Sequence, residues 1–114
     1  MATNSYQLGI KAELLTAQYF NKLGFSVIFL RYKTKFGEID LILKRGNQIV
    51  FIEVKARSII LPIDQLITQK QIDRNYAAAE FFLSQFPEYL TYECRFDIVI
   101  LHKDRIIHHI ENII

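Results

Sequence analysis

The chain has 114 residues, of which 51% are hydrophobic and 23% charged, and its formal net charge is +2. This balance is that of an ordinary globular protein, which excludes a disordered chain, and the length suits one domain over residues 1–114 rather than two. The single cysteine, Cys94, excludes an intramolecular disulfide and a multi-cysteine zinc site. We expect Cys94 to be a small buried residue.

The segment from Met1 to Gln7 is polar and has no apolar centre, so it does not read as a signal peptide. No apolar run in the sequence reaches the length of a membrane span. We therefore expect a cytoplasmic protein without a membrane partner.

A first helix is predicted from Asn4 or Ser5 to about Leu23, because apolar residues recur at helical spacing and Gly24 is a good stop signal. Glu13 lies in the middle of this helix, near its apolar stripe. A glutamate in such a place is ordinarily a solvated helix residue.

A first strand is predicted over residues 25–31, followed by a basic connection over residues 31–35. From Arg31 to Arg57, seven Lys and Arg residues stand against three acidic residues, a local balance of +4. This concentration of positive charge suits contacts with phosphate, although a solvated sheet edge carries the same pattern.

Two apolar, β-branched runs flank Gly46-Asn47, which is typical of a β-hairpin. With these two residues as the loop, the register sets Asp40 directly opposite Glu53. By the same register, Glu38 lies opposite Lys55. Alternation along the two strands predicts one core face, formed by Ile39, Leu41, Leu43, Val50, Ile52 and Val54.

The other face of the hairpin brings two carboxylates, Asp40 and Glu53, together at one end. Like charges placed directly opposite each other in a sheet are destabilising, so their presence needs a reason. A divalent cation supplies one, since Mg²⁺ takes oxygen ligands, including one or two carboxylates. Lys55 projects from the same face and can stabilise charge on a phosphate or orient a water. The alternative is a solvated face on which Lys55 neutralises its neighbours.

A second helix is predicted to begin at Pro62 or Asp64 and to end before Pro87. Lys70 and Arg74 lie one turn apart on its more polar side. They can reach a phosphate, or they can be a solvated pair.

Strands over residues 92–101 and 105–110 complete the chain. The three histidines, His102, His108 and His109, are in no ligand spacing with the acidic residues. We expect them to be surface or edge residues.

The predicted order is α-β-β-β-α-β with an extra edge strand, an α/β fold in which helices flank a mixed central sheet. The three early strands should form an antiparallel meander. The strand after the second helix should return parallel to the third strand through a right-handed crossover.

Four groups of residues resemble one known pattern. They are Gly9, Glu13, Ala17, Tyr19, Phe20, Gly24 and Phe25; the run GEIDLI at 37–42; the run FIEVK-x-R at 51–57; and RFD at 95–97. This pattern resembles that of the YraN-like family of small bacterial endonuclease-like proteins, and the likeness runs from about Gly9 to Ile100. That family in turn resembles the restriction-endonuclease-like, PD-(D/E)xK nucleases, with archaeal Holliday junction resolvases nearest in layout.

The resemblance implies a restriction-endonuclease-like core, with Asp40 and Glu53 as ligands of Mg²⁺ or Mn²⁺ and Lys55 as the catalytic lysine. It also gives Glu13 an acidic role in the outer shell of the metal. On this hypothesis the carbonyl of Val54 is a third metal ligand. Fold-level likeness indicates a reaction class and does not by itself prove an active site.

The leading hypothesis is a metal-dependent endonuclease that hydrolyses phosphodiester bonds of DNA, branched or junction DNA included. The residues expected to contact nucleic acid are Arg31, Lys33, Lys35, Arg57 and Lys70. The alternative is a nucleic-acid-binding module that keeps the fold and has little or no catalysis. The sequence leaves open whether the chain forms a homodimer.

Overall fold

The computed structural model describes residues 5–113 of the chain. Helix α1 runs over Ser5–Lys22, within one residue of the predicted end, and Asn4, one of the two predicted caps, lies outside the described residues. Gly24 has a φ of +91°, a left-handed conformation that glycine adopts without strain. The N–H of Phe25 donates to the carbonyl of Phe20, which closes the helix in the manner of a glycine C-cap.

Five strands among the described residues form one mixed sheet in the order β1-β2-β3-β4-β5. Their bounds are β1 Ser26–Thr34, β2 Gly37–Arg45, β3 Gln48–Ala56, β4 Glu93–His102 and β5 Arg105–Ile110. Strands β3 and β4 are parallel, and the other neighbours are antiparallel. The predicted α/β class, the antiparallel meander and the parallel return of β4 beside β3 are confirmed.

Strand β1 is longer than predicted, because it continues to Thr34 where a basic connection was expected. The hydroxyl of Thr34 accepts hydrogen bonds from the N–H groups of Phe36 and Gly37, which ties a short turn between β1 and β2. Tyr32 and Thr34 are residue types that favour strands, and this preference outweighs the charge of their neighbours. Arg31 and Lys33 therefore lie in a strand.

The helical segment between β3 and β4 is divided, whereas one helix was predicted. A short helix α2 covers Ile63–Leu66, and α3 covers Gln69–Gln85. The break has a local cause, since the Thr68 side chain caps α3 by accepting a hydrogen bond from the N–H of Gln71 at 3.2 Å. The predicted stop at Pro87 is confirmed, and a single 3₁₀ turn follows over Pro87–Tyr89.

Helices cover both faces of the sheet, as predicted. On one face the core joins α1 to the sheet through Ala12, Phe20, Phe25, Leu41, Leu43, Val50, Ile52, Val99 and Leu101. On the other face it joins α3 through Ile39, Ile42, Ile49, Phe51, Ala78, Ala79, Phe82 and Phe96. Ile39 was predicted to share a face with Leu41, and this is wrong, because the alternation of β2 is interrupted around Asp40.

The buried carboxylate of Asp97 forms hydrogen bonds that hold the C-terminal strand β5 and the residue Asn112 after it in place. Asp97 is fully buried and accepts hydrogen bonds from Arg95 Nε and the N–H of Asn112, at 2.8 and 3.0 Å. His109 Nε2 lies 2.8 Å from its other oxygen. His109 lies in the edge strand β5, as the expectation of a surface or edge residue allows, but its side chain is largely buried because it is a partner of the Asp97 carboxylate. The prediction holds for His108, which is exposed.

Cys94 was expected to be buried and is exposed instead. It stands near the beginning of β4, where the strand leaves the core, so its small apolar side chain is not covered. None of the helices in the described part of the chain is long and apolar enough to cross a membrane.

Candidate metal centre

The candidate site lies where β2 and β3 separate. The predicted hairpin register is confirmed from Arg45–Gln48 to Leu41–Ile52, where the pairing ends. It ends one step before Asp40 and Glu53, so the prediction that these two are a ladder pair, and that Glu38 pairs with Lys55, is wrong. Instead, Asp40 Oδ2 accepts a hydrogen bond from the N–H of Val54 at 2.8 Å, which fills the gap between the strands.

Both carboxyl groups of the site have raised pKa values. Burial raises the pKa of Asp40 to about 8, and the nearby negative charge of Glu53 adds to the rise, against the hydrogen bond from Val54. Burial also raises the pKa of Glu53, against the opposing influence of Lys55 and Gln71. A buried carboxylate next to another is unfavourable when charged, and a bound cation relieves that cost.

Two donors contact the same carboxylate oxygen of Glu53. Gln71 Nε2 donates to Glu53 Oε1 at 2.8 Å, and Lys55 Nζ lies 3.4 Å from the same atom. Lys55 is only 8% exposed, so its charge is directed at the site rather than at bulk solvent. The face is therefore not solvated at Lys55, whereas the other part of that alternative, that Lys55 neutralises a neighbouring acid, agrees with its ion pair to Glu53.

Gln71 is a site residue that sequence reasoning missed. It belongs to α3, which reaches the site from across the sheet, and its contact with Glu53 spans 18 positions of the chain. Nothing in the local sequence marks it, since a glutamine in the first turns of a helix is ordinary. The available signal was indirect: Gln71 is the chain neighbour of Lys70, a predicted phosphate contact.

Each carboxylate has one oxygen that the hydrogen bonds of the described residues leave unused. Within the described residues, neither Asp40 Oδ1 nor Glu53 Oε2 receives a hydrogen bond. In an extended strand the N–H and C=O of one residue point to the same side, so the Val54 carbonyl faces the Asp40 side of β3. These are all hard oxygen donors, which fit Mg²⁺ or Mn²⁺ rather than a softer metal.

The described residues contain no group of three or more His, Cys, Asp or Glu side chains placed to hold a metal. A Mg²⁺ site commonly uses one or two carboxylates and completes its shell with waters and substrate phosphate. The Asp40–Glu53 pair with the Val54 carbonyl matches that smaller requirement, and we call these three residues the candidate metal centre, or metal centre for short.

Glu13 lies beside the metal centre and is not a solvated helix residue. Its side chain is 12% exposed, and it accepts a two-pronged contact from Arg31, with Nε at 2.8 Å and Nη2 at 3.4 Å. Its charge helps to raise the pKa of Asp40, which indicates that the two acids are close. The hydrogen bond with Glu13 raises the pKa of Arg31. Arg31 is thus already paired.

A cleft of about 410 Å³ opens beside the metal centre. It is lined by Gly37, Glu38, Glu53, Thr68, Lys70, Gln71, Arg74 and Asn75. Of the basic residues proposed from the sequence, Lys70 lines this cleft, and Lys33 pairs with Glu38 of its rim in the β1–β2 register. Lys35 and Arg57 are exposed outside the lining of the cleft. The roles of these residues toward nucleic acid stay predictions.

The structure thus defines a mixed α/β protein with a paired-carboxylate site where two strands of its sheet separate. The chain belongs to the uncharacterised protein family UPF0102, whose model matches residues 12–101. The matched range contains Glu13 and the whole metal centre. The resemblance drawn from the sequence is confirmed at this level, that of the family.

Individual relatives cover most of the chain. The UPF0102 protein of Rhodopseudomonas palustris (strain HaA2) is 38% identical over 106 residues, which are 93% of this chain and 83% of the relative. That of Bartonella tribocorum is 38% identical over 97 residues, or 85% and 75% of the two chains. That of Nitrobacter winogradskyi is 33% identical over 110 residues, or 96% and 93%. These relatives agree with the family that the model identifies.

Proposed function

We propose that this protein is a metal-dependent endonuclease that hydrolyses phosphodiester bonds in nucleic acid, with DNA, including branched or junction DNA, as the favoured substrate. The observation that carries the proposal is the pair Asp40 and Glu53. Two half-buried carboxylates with raised pKa values are placed together next to a buried lysine, and one of them, Glu53, lines a cleft. Perturbed titratable groups of this kind concentrate at functional sites.

The residues around the pair have distinct roles. The N–H of Val54 holds the Asp40 carboxylate, and Gln71 holds that of Glu53, so each leaves one oxygen for a ligand. A bound Mg²⁺ or Mn²⁺ would neutralise charge on the phosphate and make water a better nucleophile. Lys55 Nζ, near Glu53 Oε1, would stabilise the negative charge that develops on the phosphate during attack.

The order of elements also supports this reaction class. One helix, an antiparallel three-stranded meander, a helical crossover and a parallel fourth strand resemble the core of PD-(D/E)xK nucleases. The motif residues are in the corresponding places: Asp40 on β2, and Glu53 and Lys55 on β3. The outer-shell role proposed for Glu13 agrees with its position beside Asp40.

The test is a cleavage assay with Mg²⁺ or Mn²⁺ on duplex, single-stranded, flap and four-way-junction DNA, and on RNA of matched sequence. Asp40→Ala should remove cleavage. The matched control is Glu88→Ala, which removes an exposed carboxylate in the 3₁₀ turn. Equal cleavage by wild type and Asp40→Ala would identify a contaminant. Binding without cleavage under every metal would assign the protein to the alternative, a nucleic-acid-binding module.

A further inference from the structure

We propose that the cleft beside Glu53 binds a second phosphate of the substrate strand, next to the one that is hydrolysed. The phosphate would be held by Lys70, Arg74 and the side-chain amide of Asn75. The identification of the ligand as a nucleic-acid strand rests on the proposed function. The existence of an anion site rests on independent features of α3.

The first feature is Asn75. Its side chain is buried among the residues of α3 that pack on the sheet, and the residue is only 5% exposed. Among the described residues, the amide nitrogen Nδ2 has no hydrogen-bond partner. Buried amides in native structures are nearly always satisfied, so an unpartnered one needs an explanation. Asn75 lines the cleft, and rotation of its side-chain amide would turn Nδ2, which is covered as it stands, toward an acceptor bound there.

The second feature is the pair of cations at the beginning of α3. Lys70 lies in the first turn, which contains no acidic residue, and Arg74 follows one turn later. A cation at a helix N-terminus opposes the helix dipole, and like charges four residues apart repel each other. In the part of the chain that the structure describes, neither residue forms an ion pair. This placement of two positive charges is unfavourable without a bound anion, and a bound anion would make it favourable.

The acidic residues of the cleft do not cancel this charge. Glu53 is matched by Lys55, with 3.4 Å between Oε1 and Nζ. Glu38 on the rim faces Lys33 in the β1–β2 register. With Glu53 matched by Lys55, the lining of the cleft keeps two cations, Lys70 and Arg74, against one exposed acid, Glu38.

An anion in the cleft would relieve all three unfavourable features at once. It would neutralise the excess charge, lie near the positive end of the α3 dipole and accept a hydrogen bond from Asn75. The cleft is within the usual size range of ligand sites, roughly 300–1,000 Å³. A volume of about 410 Å³ exceeds the need of one phosphate and leaves room for part of a sugar.

Gln71 connects this cleft to the metal centre. It lies between Lys70 and Arg74 in the sequence, lines the cleft and donates to Glu53. A strand with one phosphate at the carboxylates would therefore have its neighbouring phosphate close to α3. The cleft would set how the strand lies across the metal centre, so that the scissile phosphate meets Glu53 in a defined orientation.

The test uses Asp40→Asn without metal, so that binding in the cleft is measured apart from cleavage. This change keeps an oxygen to accept the Val54 N–H and removes the carboxylate of the metal centre. The probes are inorganic phosphate and the dinucleotide d(TpT), titrated while NMR follows the side-chain amide of Asn75 and the backbone amides of residues 69–71. We expect both probes to shift these signals, and d(TpT) to bind more tightly because it also fills the cleft.

Two variants in the same background measure the contribution of the cleft. Changing Lys70 and Arg74 together to Ala should weaken d(TpT) binding about tenfold or more, since it removes two charge-assisted hydrogen bonds to the phosphate. Asn75→Asp should weaken it by a similar factor, about tenfold, because it places a negative charge against the phosphate. The matched control changes Lys22 and Arg105, two exposed cations outside the cleft, to Ala and should leave the affinity unchanged.

The outcomes separate this proposal from the proposed function. Absence of shifts at Asn75 and residues 69–71, or equal affinity in the Lys70/Arg74 variant and its control, would overturn the anion site even if wild type cuts DNA. Selective binding in the cleft, together with no cleavage by wild type under any metal, would support the anion site and remove the nuclease. Binding of inorganic phosphate but not of d(TpT) would overturn the assignment of the ligand as a nucleic-acid strand.

Discussion

Asp40 Oδ2 accepts a hydrogen bond from the backbone N–H of Val54, 2.8 Å away, in the gap that opens where β2 and β3 stop pairing. A side chain thus replaces a ladder partner at the point where the hairpin separates. The bond has two effects: it fixes the Asp40 carboxylate between the strands, and it satisfies a backbone donor that the separation would leave without a partner.

Replacing Asp40 by Asn should stabilise the metal-free protein at alkaline pH. The pKa of Asp40 is raised to about 8 in the folded chain, mainly by burial, so between about pH 4 and 8 the folded state holds a proton that the unfolded state releases. Stability of the wild type therefore falls as pH rises through this window. Asparagine carries no charge and keeps the acceptor for Val54. We expect the variant to be more stable by about 1–3 kcal/mol at pH 9 and nearly equal at pH 4.

Urea unfolding in EDTA across this pH range measures the effect. Glu88→Gln, the same chemical change at an exposed carboxylate, is the matched control and should follow the wild-type curve. If the stability of Asp40→Asn fell with rising pH as steeply as that of the wild type, burial of the Asp40 carboxylate would not be the cause of the pH dependence.

Millimolar Mn²⁺ or Mg²⁺ should raise the melting temperature of the wild type but not of Asp40→Ala. A ligand that binds only the folded state stabilises it by mass action, about 2.7 kcal/mol at a hundred times the dissociation constant. Calorimetry with and without EDTA provides the measurement, and Glu88→Ala is again the control. Equal shifts in all three proteins would place the ion elsewhere or make its binding nonspecific.

Gln71→Ala should weaken metal binding. It should also raise the pH at which the metal begins to bind. Gln71 donates to Glu53 and lowers the pKa of that carboxyl group, so its removal lets burial raise the pKa further. More alkaline conditions would then be needed to ionise Glu53 for a cation. Such supporting contacts are typically worth about 10–100-fold in metal affinity.

The measurement is a Mn²⁺ titration at several pH values, and Gln69→Ala is a close control. Gln69 lies in the same turn of α3 but is exposed and bonded to Asp73 rather than to the metal centre. If both variants bound Mn²⁺ as the wild type does, Gln71 would not position Glu53.

Lys55→Ala should abolish cleavage while leaving DNA affinity within a few-fold of wild type. Its amine lies beside Glu53 and is buried, so on the proposed function its charge would act at the reacting phosphate more than along the strand. Single-turnover cleavage and fluorescence anisotropy, on the same substrate, separate the two quantities. Loss of binding in proportion to cleavage would show that Lys55 serves affinity instead.

Changing Lys33 and Lys35 together to Ala should weaken binding and flatten its dependence on salt. Both side chains are exposed, and neither belongs to the metal centre. Removing one lysine that binds a phosphate reduces the slope of log affinity against log salt by about one, so a decrease of about one to two is expected. Cleavage at saturating protein should survive. An unchanged slope would move the docking surface to other residues.

Features that depend on residues close together in the sequence could be predicted, and features that depend on contacts between distant segments could not. The Gly46-Asn47 loop sets the hairpin register through neighbours in the sequence, so the pairing could be predicted as far as Leu41–Ile52, but not its end before Asp40 and Glu53. The helix break at Thr68 was missed, because a single capping hydroxyl decided against a continuous apolar pattern. The contacts of Glu13 with Arg31 and of Glu53 with Gln71 depend on how helices dock across the sheet. No local pattern encodes that docking.

His109 and Ile39 illustrate the same limit. The place of His109 depends on the buried acid Asp97, which lies on another strand. Ile39 changes face because β2 loses its regular alternation near Asp40, and a strict two-residue period cannot anticipate such an irregularity.

The position of Cys94 gives the molecule a natural attachment point for a reporter group. Its thiol is exposed, and it is the only cysteine in the sequence. Cys94 pairs with Ile49 in the parallel β3–β4 register, four residues before Glu53, so it lies about 13 Å from the metal centre along the strand. A fluorophore coupled there would sit outside the site yet within energy-transfer range of a labelled DNA end. The orientation of a bound strand on this small sheet could thus be followed without altering a residue that binds it.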